Sequence, residues 1–398
     1  MDRPTMTDIY NAFARADMQR NFRWLTLALA VTALSLNLTV SWKVFAAEPL
    51  REAASRSLMA ANSSFFFDSG LVEPVPVAAL KAAMLTGLNP EKLLRAEGLG
   101  VYVLLFALTL FVLRRRFGEI TASMAALFLA ANPNMGFYAM QGSSHLYALV
   151  FLLLFWHYFD DPAGGRRGAL LAGLSGGLAC LSRLDSAWAL LAIAGLSWAV
   201  RRREFALKEA ALALGLAAML TLPYLVWQKA QYGAVFYAQE LSLRRWANVD
   251  RYGYGPQAEA PRGPLAPAAF LLRNGAAGAV KDGFSGLGRA LGFELPRVLY
   301  YKALAVLVFL GVYAAFLFKK DRLLFFVAAG LLPALPLAAI TQVPASGGIE
   351  LRYYLWPLWG LCALAGLGFQ ETLVWVEAGV DKWAARKAEQ LKRLAGRK

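Results

Sequence analysis
The sequence predicts an all-α polytopic membrane protein of about ten transmembrane helices, with interfacial helices in the first extracytoplasmic loop. Three observations carry that reading. Of 398 residues, 58% are hydrophobic and only 17% are charged, a balance that excludes an ordinary soluble domain. The apolar runs are continuous rather than alternating, which argues against a β-barrel. The formal charge of +15 is carried by short basic clusters between the runs, the pattern of membrane topology and not of nucleic-acid binding.

A full crossing takes about 20 residues, and apolar runs lie near 22–47, 96–113, 119–140, 144–159, 168–182, 186–200, 207–229, 298–318, 322–343 and 351–370. The first is read as an uncleaved anchor and not as a signal peptide ending at Val44-Phe45-Ala46. It exceeds an h-region of about 7–15 residues and a long polar segment precedes it. The clusters Arg114-Arg115-Arg116, Arg166-Arg167, Arg201-Arg202-Arg203 and Lys319-Lys320-Asp321-Arg322 then share one side with Arg15, Arg20 and Arg23. That side is cytoplasmic by the positive-inside rule, which places both termini in the cytoplasm and the protein in the inner membrane.

Residues 48–95, the turn Gln141-Gly142-Ser143-Ser144, residues 230–297 and Gln342 to Arg352 face outward. The organisation expected is a cytoplasmic segment 1–21, a transmembrane domain 22–370 and a basic tail 371–398. In the first loop, Val77, Leu80, Met84 and Leu88 repeat at helical spacing before Asn89-Pro90, and Leu50, Ala54, Leu58 and Ala61 form a weaker repeat. Two surface helices joined by an acidic turn follow from that pattern. In the tail, Val376, Val380, Trp383, Leu391 and Leu394 among many Lys and Arg predict an amphipathic segment on anionic lipid.

The spans 168–182 and 186–200 are about 15 residues each, roughly 22 Å of helix against a hydrocarbon core of about 30 Å. Their shared turn, Ser182-Arg183-Leu184-Asp185, is expected below the outer surface, and His145 at the head of another short span likewise. Buried charges of this kind line a cavity or pair with each other. Arg183, Asp185, His145, Glu240 and Tyr353 are the cavity candidates.

The chemistry-bearing loop is Phe65-Phe66-Phe67-Asp68-Ser69-Gly70-Leu71-Val72-Glu73-Pro74. Asp68 and Glu73 are about 140° apart on an ideal helix, so they converge only as loop residues. The phenylalanines would draw the loop into the interface, where a desolvated carboxylate becomes a better base. Outer-facing Arg244, Arg245 and Arg352 suit a phosphate, since guanidinium offers a fixed fork of donors. The plainer readings are solvated loop acids and headgroup-anchoring arginines with belt tyrosines. Trp246 to Gly255 is read as a plain loop, and His157 as packing.

Cys180 and Cys362 lie inside apolar runs, with no disulfide or zinc spacing. Asp68 and Glu73 could hold Mg2+ or Mn2+ only with waters or donor phosphates completing the shell. No P-loop, Rossmann glycine pattern, His-Glu-x-x-His or Gly-x-Ser-x-Gly occurs. No internal repeat of the inverted-repeat transporter kind was found either.

Several stretches resemble the GT-C class of polyprenyl-phosphate-sugar-dependent glycosyltransferases, in its protein-mannosyltransferase and aminoarabinose-transferase branch. They are Arg115-Arg116-Phe117-Gly118 leading into Ala125 to Pro133, Gly177 to Arg183, Pro223-Tyr224 with Tyr232 to Phe236, and Leu351 to Pro357. The resemblance implies that the first outer loop supplies the catalytic acid, Asp68 first and Glu73 next. It also implies inverting transfer from a polyprenyl-phosphate sugar to a lipid, glycan or protein acceptor, with cations on the leaving phosphate. Two departures stand against it: Ser143-Ser144-His145 where many members carry an acid, and a chain that ends soon after its last span. A non-catalytic subunit that binds lipid or scaffolds a complex with a protein partner is therefore the second reading, and a lipid or glycan transporter the third.

Overall fold
The structure, a computed structural model, describes residues 6–50, 53–161, 164–200, 206–253, 255–256, 263–317, 321–331 and 351–395. All of the regular structure among the described residues is helical. Parts of the expected spans and loops fall elsewhere: Arg201-Arg202-Arg203, Tyr254, Lys319-Lys320 and residues 332–350 lie outside the described residues.

Among the described residues, four helices are long and apolar enough to cross a membrane, over Phe22–Phe45, Pro90–Phe117, Leu207–Tyr232 and Leu351–Val380; two sharply bent helix pairs raise the number to six. That is fewer than the ten spans expected from apolar runs alone. The difference lies in runs that are apolar enough but do not stay helical for long enough, or bend partway.

The elements in order are α1 (Met6–Phe45), α2 (Ala53–Asn62), α3 (Pro74–Met84), α4 (Pro90–Phe117), α5 (Glu119–Ala131), α6 (Pro133–Met140), α7 (Ser144–Phe159), α8 (Gly165–Ser182), α9 (Ser186–Val200) and α10 (Leu207–Tyr232). They continue as α11 (Tyr237–Tyr252), α12 (Pro267–Leu271), α13 (Gly275–Arg289), a π turn (Ala290–Glu294), α14 (Leu295–Leu299), α15 (Leu304–Leu317), α16 (Asp321–Leu331), a 3-10 turn (Leu351–Tyr354) and α17 (Leu355–Ala395). Both helices expected in the first outer loop form. The stretch read as a plain loop from Trp246 is instead mostly the end of α11, because Trp246 and Val249 are buried against Phe270.

One expected span, 119–140, is broken. Pro133 has no N–H and cannot continue α5, and Asn132 caps α6 by accepting from Asn134 N at 2.9 Å. Such a break inside apolar surroundings must have its carbonyls satisfied by neighbours. Tyr102 of α4 donates to the Leu129 carbonyl at 3.1 Å, Asn37 of α1 to that of Ala130 at 2.7 Å, and Tyr301 to that of Ala131 at 3.1 Å. Asn132 itself donates to the Val298 carbonyl at 2.9 Å. The polar seam thus ties α1, α4, α5 and α14 together.

The bundle has two distinct ends. At one, Arg23 and Arg114 each reach Glu119 at 2.5 Å, Arg116 reaches Asp160 at 2.6 Å, and Phe22 stacks on Phe369. At the other, Arg95 donates to the Phe45 carbonyl and Trp356 Nε1 to the His145 carbonyl. Basic clusters predicted to share a side therefore do share an end wherever their contacts are described. The tail expected from 371 begins at no break, since α17 runs on to Ala395. Its Ala, Glu, Lys, Leu and Arg are good helix formers and extend the last span.

Helices α15 and α17 cross at Gly311 and Gly368, where an added Cβ would run into the Leu364 and Leu307 carbonyl oxygens respectively. Small residues at such a crossing let two backbones approach. Gly311→Ala is expected to cost about 1–3 kcal/mol through overpacking, read as a lowered melting temperature in detergent with Gly288→Ala, which has open space, as the neutral control.

Candidate functional site
The acidic loop sits between α2 and α3, and its two acids are placed differently. Asp68 Oδ2 accepts from both the backbone N and the Oγ of Ser64 at 2.9 Å. On its other side it acts electrostatically on Tyr232 at the end of α10. Gly70 then turns the chain at φ +67°, a conformation that costs a residue with a Cβ, and Met59 fills the space beside it. Lys81 of α3 holds the loop's start by donating to Ser63.

Glu73 is the N-cap residue of α3, at φ −63° and ψ 148°, yet its side chain makes no cap bond. The sequence gives a reason. An N-cap side chain closes on the N–H of the second or third helical residue, and the third here is Pro76, which has none. Glu73 instead reaches across to the α8–α9 turn and accepts from Leu184 N at 3.3 Å.

That turn is the organising element. Arg183 ends α8 in an extended conformation and grips Asp185 with two nitrogens, Nε to Oδ1 at 3.0 Å and Nη2 to Oδ2 at 3.0 Å. Its Nη1 reaches Ser144 Oγ at 3.3 Å, and its guanidinium lies 5.8 Å from the Tyr353 ring centre. Arg352 approaches the same ring at 5.3 Å, and His145 meets it edge-on at 4.9 Å. Trp246 of α11 closes the group from the long loop, 6.2 Å from Tyr353.

The structure therefore brings together Glu73, Arg183, Asp185, His145, Arg352 and Tyr353. His145 is buried, with Nδ1 3.4 Å from Ser143 Oγ and Nε2 without a hydrogen-bond partner. Asp68 is offset toward α10. Arg244 is directed elsewhere, bracing the long loop through the Gly263 carbonyl at 3.2 Å. Arg245 is half-buried on the same helix, and the Glu240 carbonyl accepts from Leu265 N at 3.1 Å. His157 stands at the basic end, edge-on to Phe111 at 5.5 Å, in keeping with a packing role.

Electrostatically, burial pushes the Glu73 carboxyl above its ordinary value, with Asp185 adding to the rise, while Arg183 and the Leu184 N–H oppose it. Among the described residues no three His, Cys, Asp or Glu side chains gather as a metal site. Glu73 and Asp185 both act electrostatically on Arg183.

Sequence reading missed a second buried polar group beneath the first loop. Arg56 of α2 is almost fully buried and donates to the Gly142 carbonyl at 2.6 Å, next to the turn that carries His145. Glu97 of α4 accepts from Tyr147 Oη and lies within electrostatic reach of Arg56. A lone acid in the second residue of an expected span was the available signal. Tyr224 of α10, electrostatically coupled to Glu73, was missed as well.

No family model and no curated protein matches the chain. Three solved structures align with it at low identity. The archaeal oligosaccharyltransferase AglB from Archaeoglobus fulgidus, in complex with an inhibitory peptide and a dolichol-phosphate, aligns at 14% identity over 89% of this chain and 51% of its own, with a TM-score of 0.47. ArnT from Cupriavidus metallidurans bound to undecaprenyl phosphate aligns at 15% identity over 87% of this chain and 78% of its own, with a TM-score of 0.40. Its apo state aligns at 15% over 88% and 78%, also at 0.40. The chain spans about half the length of the archaeal enzyme.

Glu73 makes a prediction about stability. Because burial holds its folded pKa above the ordinary carboxyl value of 4.5, folding favours the protonated form, and stability is lost as pH rises through the raised value. Glu73→Gln, which keeps an acceptor for Leu184, is expected to melt about 1–3 °C above the parent at neutral pH. The gap should close as pH falls below 4.5; a difference independent of pH would contradict the burial argument.

Proposed function
We propose that this protein is a GT-C-type integral membrane glycosyltransferase that moves a sugar from a polyprenyl-phosphate donor to a lipid, glycan or protein hydroxyl on the extracytoplasmic face. The observation that carries the reading is the meeting of a desolvated loop carboxylate with arginines and an aromatic wall at one end of an apolar bundle. A lipid-linked donor needs this combination: tail in hydrocarbon, phosphate among cations, sugar beside an acid. The resemblance of the Leu351 to Pro357 stretch supports it from the sequence.

In this reading Asp68 is the general base. Both bonds from Ser64 end on Oδ2, which leaves Oδ1 for the acceptor hydroxyl. The base takes the hydroxyl proton as the oxygen attacks the anomeric carbon, and the polyprenyl phosphate leaves from the opposite face with inversion. A departing phosphate is a weak base and needs charge neutralisation more than a proton. Arg352 supplies that charge at the head of the last span. Arg183 is held by Asp185 and serves chiefly to fix Glu73, Ser144 and Tyr353 in one place. Glu73 supports the site, with its buried carboxyl positioned to receive a hydrogen bond from a sugar hydroxyl.

The test is sugar transfer from a polyprenyl-phosphate donor by the purified protein. Asp68→Asn is expected to lower turnover by at least about 100-fold, the usual worth of a positioned base, while donor binding persists. Undiminished turnover would remove Asp68 from the base role, and a parent protein that binds donor without transferring sugar would favour the non-catalytic subunit.

A further inference from the structure
The helix α13 has an apolar face that none of the described residues covers, and its place in the fold identifies what does. Val280, Phe284, Leu287 and Leu291 are exposed, Phe284 at 73%. At 100° per residue Val280, Phe284 and Leu287 fall within about 60° of arc, and Leu291 follows in the π turn that continues the helix. Ser285, Asp282 and Arg289 lie on the opposite side, where Asp282 is bound by Asn274 at 2.9 Å and faces Arg273 at 3.6 Å. Lys281 flanks the apolar arc. A narrow apolar stripe bordered by cations and polar groups suits a helix lying in a membrane interface.

Direction and continuity point the same way. The line Gly275–Leu299 meets α15 at a bend of 114°, so α13 runs crosswise to a helix that packs along α17. Its far end is fastened at bundle depth, where the Val298 carbonyl accepts from Asn132 and Asn134. Beyond the bend, α15 carries its own exposed apolar face, with Phe309 at 71% and Val306 and Phe316 alongside. Because α15 is read as part of a span, that face is lipid-contacting, and the exposed stripe of α13 lies on the segment that leads into it. Its end of the bundle is also that of the candidate site: Glu294, following α13, is electrostatically coupled to Tyr354 beside Tyr353.

We infer that α13 is an interfacial helix, its Val280, Phe284, Leu287 and Leu291 face seated in the headgroup–acyl boundary of the leaflet nearest the candidate site. The partner is the phospholipid leaflet itself, and the inference stands whether or not the protein transfers sugar.

The experiment places an environment-sensitive NBD fluorophore on single cysteines at Phe284→Cys and Ser285→Cys. The full chain has the buried Cys180 and Cys362 replaced by alanine and is reconstituted in phosphatidylcholine–phosphatidylglycerol vesicles. The label at 284 should emit to the blue of that at 285. It should be quenched several-fold more by a nitroxide near the top of the lipid chain than by one at the chain end, and resist aqueous iodide. The label at 285 should be open to iodide. Iodide access at 284 equal to that at 285 would overturn the inference, as would strongest quenching at the chain end, which describes a buried span. Protection at 284 without lipid quenching, varying with protein-to-lipid ratio, would overturn it in favour of a second copy of the chain.

Discussion
The candidate site hangs on one ion pair. Arg183 and Asp185 are two residues apart at a helix-to-helix turn, and their bidentate contact fixes a guanidinium that would otherwise be a mobile charge in apolar surroundings. Fixed there, the guanidinium touches Ser144 at the head of α7 and Tyr353 before α17, while the neighbouring Leu184 N–H receives Glu73 from the first loop. Three separate parts of the chain are registered by one turn. A half-buried pair of this kind contributes little net stability, and breaking it is costly because the remaining charge is left uncompensated. Its value lies in where it puts its neighbours.

The same economy governs the bundle beneath. Pro133 breaks a helix where no water can repair it, and the exposed carbonyls are met by Tyr102, Asn37 and Tyr301 from three other segments. Those bonds make the break a fastening point, because each helix that satisfies a carbonyl is thereby held at a defined height. The turn carrying Ser143, Ser144 and His145 lies just beyond it, pinned in turn by Arg56 from the first loop. Loop and bundle are thus locked together on both flanks of Glu73.

Composition and run length made the helical membrane class legible, along with the two loop helices and the sharing of one end by Arg23 and the 114–116 cluster. The helix–turn–helix around Arg183 was legible too, as two apolar runs separated by a polar turn. What sequence pattern could not supply was pairing across distance. Nothing local distinguishes Glu73, which reaches the Leu184 N–H, from Asp68, which closes on its own neighbour Ser64; the presence of Pro76 becomes informative only once α3 is known to start at Pro74. The ten apolar runs exceed the four to six candidate spans among the described residues for a related reason. An apolar run records hydrophobicity, and the breaks at Asn132-Pro133 and before Leu304 record backbone geometry. Likewise Arg244 and Arg352 are both outer-facing cations in the sequence, which does not show that Arg244 donates to the loop carbonyl of Gly263.

The central claim is that the group organised by Arg183 receives a polyprenyl phosphate. Native mass spectrometry of the purified protein, released from detergent in the presence of added undecaprenyl phosphate, measures this directly. The account predicts one lipid bound per chain in the parent, with occupancy reduced at least about tenfold in Arg352→Gln at unchanged melting temperature and in Arg183→Gln with a lowered one, since Asp185 then loses its partner. Equal occupancy in all three proteins would contradict it.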